Sequence, residues 1–265
     1  TTNFELAELL FNTGEIEESQ QKLEKLLTAN PQNIAAHELM IRIAFSGGED
    51  REKVRNRIFE FGQKFQKNAK VALSVGRFYR IIGELEDAKV NFRHAVEEAQ
   101  YDGDVLFKAA NQQFAIGDLS GALWTLTKAE QAIPNSMDVS VLRASVLTQL
   151  GDFGRAREEI DDLYADHGEH ASISLVEGDY FIEKNEYDNA ITAFEKSHRL
   201  APTQKVTDVL FRAYVKGEQF LKAEQLIKPW VEKNRTDYTA RNMYGELLVQ
   251  MRRWIDAQKI FEELQ

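Results

Sequence analysis

Small residues, or residues standing in for them, recur at Ser19, Val54, Ala88, Ala122, Ala156, Ala190, Ala223 and Ala257, at intervals of 35, 34, 34, 34, 34, 33 and 34 residues. A period near 34 residues, kept from one end of the chain to the other, marks a helix-turn-helix array whose units bury their apolar faces by stacking on one another. An all-α solenoid of antiparallel helix pairs is the expected fold. Such an array presents an extended surface, so recognition rather than catalysis is the expected activity.

Several columns write the repeat. Five residues before most of the small positions a turn residue precedes an acidic and then a large apolar one: Gly14-Glu15-Ile16, Gly83-Glu84-Leu85, Gly117-Asp118-Leu119, Gly151-Asp152-Phe153 and Asn185-Glu186-Tyr187. Glycine and asparagine tolerate the left-handed backbone that ends a helix, and an acid suits the first turn of the next. Helix breaks are therefore expected near Gly14, Gly48, Gly83, Gly117, Gly151, Asn185, Gly217 and Arg252. Four residues after each small position stand Leu23, Ile58, Phe92, Leu126, Ile160, Phe194, Ile227 and Phe261. Three further on stand Leu26, Phe61, Ala95, Ala129, Leu163, Ser197, Trp230 and Leu264. Steps of four and three put these columns on one stripe of the second helix of each pair.

The first helices carry a matching stripe, with Gly76 and Tyr79 before Gly83, Ala144 and Leu147 before Gly151, Gly178 and Phe181 before Asn185, and Gly245 and Leu248 in the last unit. This pattern resembles the tetratricopeptide repeat. Gly76, Tyr79, Gly83, Ala88, Phe92 and Ala95 form the fullest copy, and the closing proline stands at Pro31, Pro134 and Pro202; the early tryptophan is replaced by residues such as His37, Ala72, Leu106 and Ser174. The resemblance implies a right-handed superhelical solenoid of eight units, at about 1–33, 34–68, 69–102, 103–136, 137–170, 171–203, 204–237 and 238–265. Without the tryptophan, the units look similar to those of bacterial envelope and polysaccharide-export proteins, compatible with a bacterial cytoplasm or periplasm. With no polar capping element at either end, the chain is expected to be a fragment of a longer protein.

Two units depart from the pattern. Gly47-Gly48-Glu49-Asp50 brings one extra residue and Val54 replaces the small residue, so a looser turn is expected there. Pro229, late in a second helix, removes a backbone donor and is expected to end or kink it.

A net charge of −10 opposes nucleic acid and anionic lipid, and the absence of cysteine removes disulfides and thiol chemistry. No apolar run is long enough to span a membrane. His167-Gly168-Glu169-His170 reads as a polar inter-repeat loop rather than a metal site. Adjacent acids such as Glu158-Glu159 point about 100° apart and read as a solvated face. No catalytic residue, cofactor or metal is expected.

The resemblance implies that positions five, nine and twelve of each first helix line an inner groove. In this sequence they include Phe11, Arg42, Phe45, Leu73, Arg77, Phe107, Asn111 and Phe114, with Arg80 completing a basic segment. An apolar stripe beside arginines suits a protein segment with apolar anchors and acidic groups, bound as a helix or an extended peptide. The lysine and asparagine pair used by chaperone-tail-binding relatives is absent, since Leu73 stands with Arg77 and Phe107 with Asn111. The alternatives are inter-repeat packing of the same apolar residues, and an architectural spacer or oligomerisation module within a larger protein. Trp124, on the outward side of its helix, could add a contact there.

Overall fold

The computed structural model describes residues 3–234 and 236–263, and among them every regular element is an α-helix. The chain divides into two compact units, Thr1–Val139 and Ser140–Gln265. The first holds α1 (Asn3–Thr13), α2 (Ile16–Ala29), α3 (Ile34–Ser46), α4 (Arg51–Lys64), α5 (Ala69–Ile81), α6 (Leu85–Glu98), α7 (Gly103–Ala115) and α8 (Leu119–Ala132). The division falls within α9 (Met137–Gln149). The second unit continues with α10 (Phe153–His167), α11 (Ala171–Glu183), α12 (Tyr187–Leu200), α13 (Gln204–Lys216), α14 (Phe220–Lys233), α15 (Tyr238–Gln250) and α16 (Trp254–Glu262).

Each repeat interval contains one helix pair closed by a tight turn. Gly14, Gly48, Gly83, Gly117, Gly151, Asn185 and Arg252 have positive φ, as the sequence leads one to expect. In the seventh pair the left-handed residue is Glu218, at φ 56°, and not Gly217. The cause is a bond that reaches back five residues and recurs in every pair: Glu84 N–H donates to the Tyr79 carbonyl, Asp118 to Gln113, and Gln219 to Tyr214. This bond fixes the left-handed residue by its distance from the helix end, whatever its type. The second turn contains the extra residue and keeps the same bond, from Glu49 to Ala44.

The acids after these turns fall into two groups. Asp118 and Asp152 accept the backbone N–H of Gly121 and Arg155 and cap their helices, whereas Glu15, Glu84 and Glu186 make no cap bond. The extra methylene of glutamate carries its carboxylate past the first-turn donors. A second column of caps opens the first helices: Asn33, Asn68, Asp102, Thr203 and Asp237 each accept a first-turn N–H.

The small column is the closest approach within each pair. Ser19, Ala88, Ala122, Ala156, Ala190 and Ala223 are fully buried, and Ser19 Oγ donates to the Ala7 carbonyl at 2.7 Å. Val54 is also buried, in a pair whose helices touch more sparsely than α5 and α6. Across the pair, size is matched by column. Gly76 faces Phe92, Gly178 faces Phe194 and Gly245 faces Phe261, and a Cβ on Gly76 or Gly245 would lie 2.5 or 2.6 Å from the facing ring. In the same columns Ala110 and Ala144 go with Leu126 and Ile160, all four fully buried.

The second and seventh pairs break this matching, since Ile41 and Ile58 in one and Phe211 and Ile227 in the other are all large. Pro229 does not end α14, which runs on to Lys233. Trp230, expected in the core column, is 43% exposed, and Val231 is buried instead. The column steps by four residues here instead of three, which also keeps a side chain on the inner face. Leu264, its counterpart in the last unit, lies outside the described residues.

Candidate binding surface

In the first unit Phe11, Arg42 and Phe45 converge on a cavity of about 240 Å³, completed by residues of α4 and by Phe78, Ile81 and Ile82. Phe45 is 50% exposed and Ile81 48%. The Arg42 guanidinium lies 5.1 Å from the centre of the Phe11 ring and 4.0 Å from Glu8, so part of its charge is already answered. Arg77 and Arg80 are one turn apart on α5, both exposed, and make no ion pair among the described residues. They are the open cationic groups of this surface.

Leu73 does not belong to it. It is only 7% exposed and lies in the core, so its place in the expected groove is corrected. A wheel drawn on one helix registers angle but not the cover supplied by the neighbouring helix. On α7, Asn111 is exposed between half-buried Phe107 and Phe114. Lys108, beside them, is held by Asp104 at 2.7 Å. Ile81 was not anticipated, although the adjacent pair Ile81-Ile82 ahead of Gly83 is an apolar signal off the core stripe.

Other candidates have structural partners. His170 Nδ1 accepts the Ser172 N–H and caps α11, while Glu169 pairs with Lys196 at 2.8 Å. Among the described residues no three His, Cys, Asp or Glu side chains converge. Trp124 is half exposed, with the Lys128 ammonium 4.2 Å from its ring centre.

In the second unit Asp179 of α11 occupies position nine. Its side chain is open to solvent at its surface, yet protein mass crowds it enough that lost hydration pushes its carboxyl up to about 6. Lys205 works against the shift and Glu183 adds to it. A raised carboxyl pKa means that the fold prefers the neutral form, so the stabilisation it contributes is present at acid pH. That stabilisation is lost as pH rises through about 6. A carbon-13 titration should give Asp179 a midpoint well above an ordinary aspartate. Asp179→Asn should remove the loss of stability between roughly pH 4 and 6; an ordinary midpoint would refute the crowding.

Comparison with known proteins bears on the repeat itself. One tetratricopeptide repeat family model matches residues 1–33, the α1–α2 pair, and another matches residues 141–205. Those stretches read as tetratricopeptide repeats. The matched residues make up less than half of the chain. Solved structures extend the likeness in fold. Yeast Tom70 aligns with a TM-score of 0.67 at 13% identity, covering 94% of this chain and 54% of that one. A tetratricopeptide repeat protein from Parabacteroides merdae aligns with 0.58 at 14% identity, covering 99% and 90%. A chain of the APC/C hetero-tetramer Cut9-Hcn1 aligns with 0.57 at 17% identity, covering 97% and 51%. At these identities the likeness is one of fold alone, and the chain spans about half the length of Tom70 and of the Cut9-Hcn1 chain. No curated protein sequence matches it significantly.

Proposed function

We propose that the first unit is a non-enzymatic recognition module that holds a segment of another protein. The observation that carries this reading is the cavity at Phe11, Phe45 and Ile81, open on one side and followed on α5 by two unpaired arginines. An apolar side chain of the partner enters the cavity, and acidic groups beside it reach Arg77 and Arg80. Scaffolding is typical of tetratricopeptide repeats, and the Cut9-Hcn1 structure shows such a chain within an assembly. Overall charge of −10 disfavours nucleic acid as the partner. The second reading, an architectural module, draws its support from Phe107 and Phe114, whose half-burial suits packing between repeats.

Peptides selected from a random library against the chain test the proposal. The selected sequences should combine an aromatic or aliphatic residue with nearby Asp or Glu. Phe45→Glu should weaken their binding at least tenfold, about 1.4 kcal/mol, while leaving helicity and melting unchanged, because Phe45 is half in water already. Arg77→Glu with Arg80→Glu should weaken binding and flatten its salt dependence. Phe107→Glu with Phe114→Glu is the less clean probe, since both rings are half-buried and stability should fall along with binding. Undiminished binding by Phe45→Glu would rule out the cavity as the anchor site.

A further inference from the structure

Three irregularities meet in the seventh pair. Phe211 fills a position that holds glycine or alanine in every other pair but the second, Pro229 interrupts the donor series of α14, and Trp230 leaves the core column for the surface. Together they leave a cavity of about 80 Å³ among α13, α14 and α15, several times what a single water needs. Its apolar walls include Phe211, Ile227, Trp230 and Met243, and two carboxylates, Asp208 and Asp237, line it. No lysine or arginine is among its described lining residues.

The two acids have different tasks. Asp237 accepts the Ala240 N–H at 3.0 Å and the Trp230 indole N–H at 2.9 Å, which caps α15 and fixes the tryptophan at the cavity. These bonds hold its carboxyl below the usual range. Asp208 makes neither a hydrogen bond nor an ion pair among the described residues. Burial and then the neighbouring Asp237 push its carboxyl up, with Arg212 opposing from the next turn of α13. Asp208 is thus a carboxylate at a cavity whose described lining holds no lysine or arginine, with Arg212 one turn away, beside an anchored indole and a buried phenyl ring.

We propose that this cavity receives the side-chain ammonium of a lysine in a partner protein segment. The methylenes lie along Phe211 and Met243, the cation meets Asp208, and the Trp230 ring adds the attraction of its π face for positive charge. Each element answers one part of the lysine side chain. A purely apolar ligand would leave Asp208 dehydrated and unpaired, and an anionic one would be repelled by both acids. A metal ion would need more ligands than converge among the described residues. This site belongs to the second unit and stands independently of the cavity at Phe45.

The Trp230 indole N–H resonance reports directly on the cavity. The full chain is titrated with N-acetyl-lysine methylamide, with the norleucine analogue, which has the same apolar stem and no charge, and with n-butylammonium. The lysine probe should shift the Trp230 resonance saturably, the norleucine probe should bind at least tenfold more weakly, and 0.5 M salt should weaken the lysine probe severalfold. Asp208→Asn, which keeps the shape of the side chain, should weaken the lysine probe at least fivefold with the far-ultraviolet circular dichroism unchanged. Asp188→Asn, on the surface of α12, should leave binding as it is. Equal binding of norleucine and lysine would overturn the proposal, as would an unaffected Asp208→Asn variant or the lack of any saturable shift. Butylammonium binding as tightly as the lysine probe would overturn the assignment to a protein segment.

Discussion

Phe194→Ala should lower the stability of the second unit by about 3–5 kcal/mol, the cost of emptying a large, fully packed site. Gly178→Ala should lower it by about 1–3 kcal/mol through overpacking, although alanine is favoured over glycine in a helix by up to about 1 kcal/mol. The sign is set by the ring. Phe194 is 1% exposed and cannot turn aside from a Cβ built on Gly178. Gly178→Ala combined with Phe194→Leu recreates the alanine and leucine pairing of Ala110 and Leu126, so its cost should fall well short of the sum of Gly178→Ala and Phe194→Leu made singly. Urea unfolding followed by circular dichroism measures all four corners of this cycle, and strict additivity would mean that the two columns do not read each other.

Ala122→Asp and Ala156→Asp should each cost on the order of 3 kcal/mol or more, since both alanines are fully buried and a carboxylate there loses its hydration. In a repeat array such a loss can appear as a separate early transition as well as a shifted midpoint. Ala122→Ser is the matched control. Ser19 and Ser197 occupy fully buried core columns with their hydroxyls bonded to the Ala7 and Ala171 carbonyls, so a hydroxyl at this depth can be satisfied where a carboxylate cannot. If Ala122→Asp melts like the parent chain, the small column is not where the helices meet.

What the sequence made legible is what one repeat repeats. Turn glycines, the small column and the large apolar column recur by type, and nearly all of them stand where their spacing puts them. The helix break expected near Gly217 is present, and its left-handed residue is Glu218 because that position is counted from the helix end by the five-residue bond. The errors have local causes. Trp230 was read into the core because its column was extrapolated through Pro229, where the step changes from three to four. Leu73 was read onto an open face because its burial depends on a neighbouring helix that a single-helix wheel omits. The caps at Asn33, Asn68, Asp102, Thr203 and Asp237 were visible in the sequence as a periodic column, though one written in three residue types. For the candidate site, Phe11, Arg42 and Phe45, which the resemblance puts on the inner face, line one cavity. Ile81 was not anticipated, because it lies one position off the columns that the resemblance supplies.

Within each unit, the helices that pack together are almost all neighbours in the sequence or one element apart. Forming these contacts closes only short loops, so the chain pays little closure entropy before burial rewards it. Within a unit, a newly made helix pair has its partner in the pair made just before it. The chain can therefore fold while it is being synthesised, pair by pair from the amino terminus, without holding apolar columns exposed until a distant segment arrives.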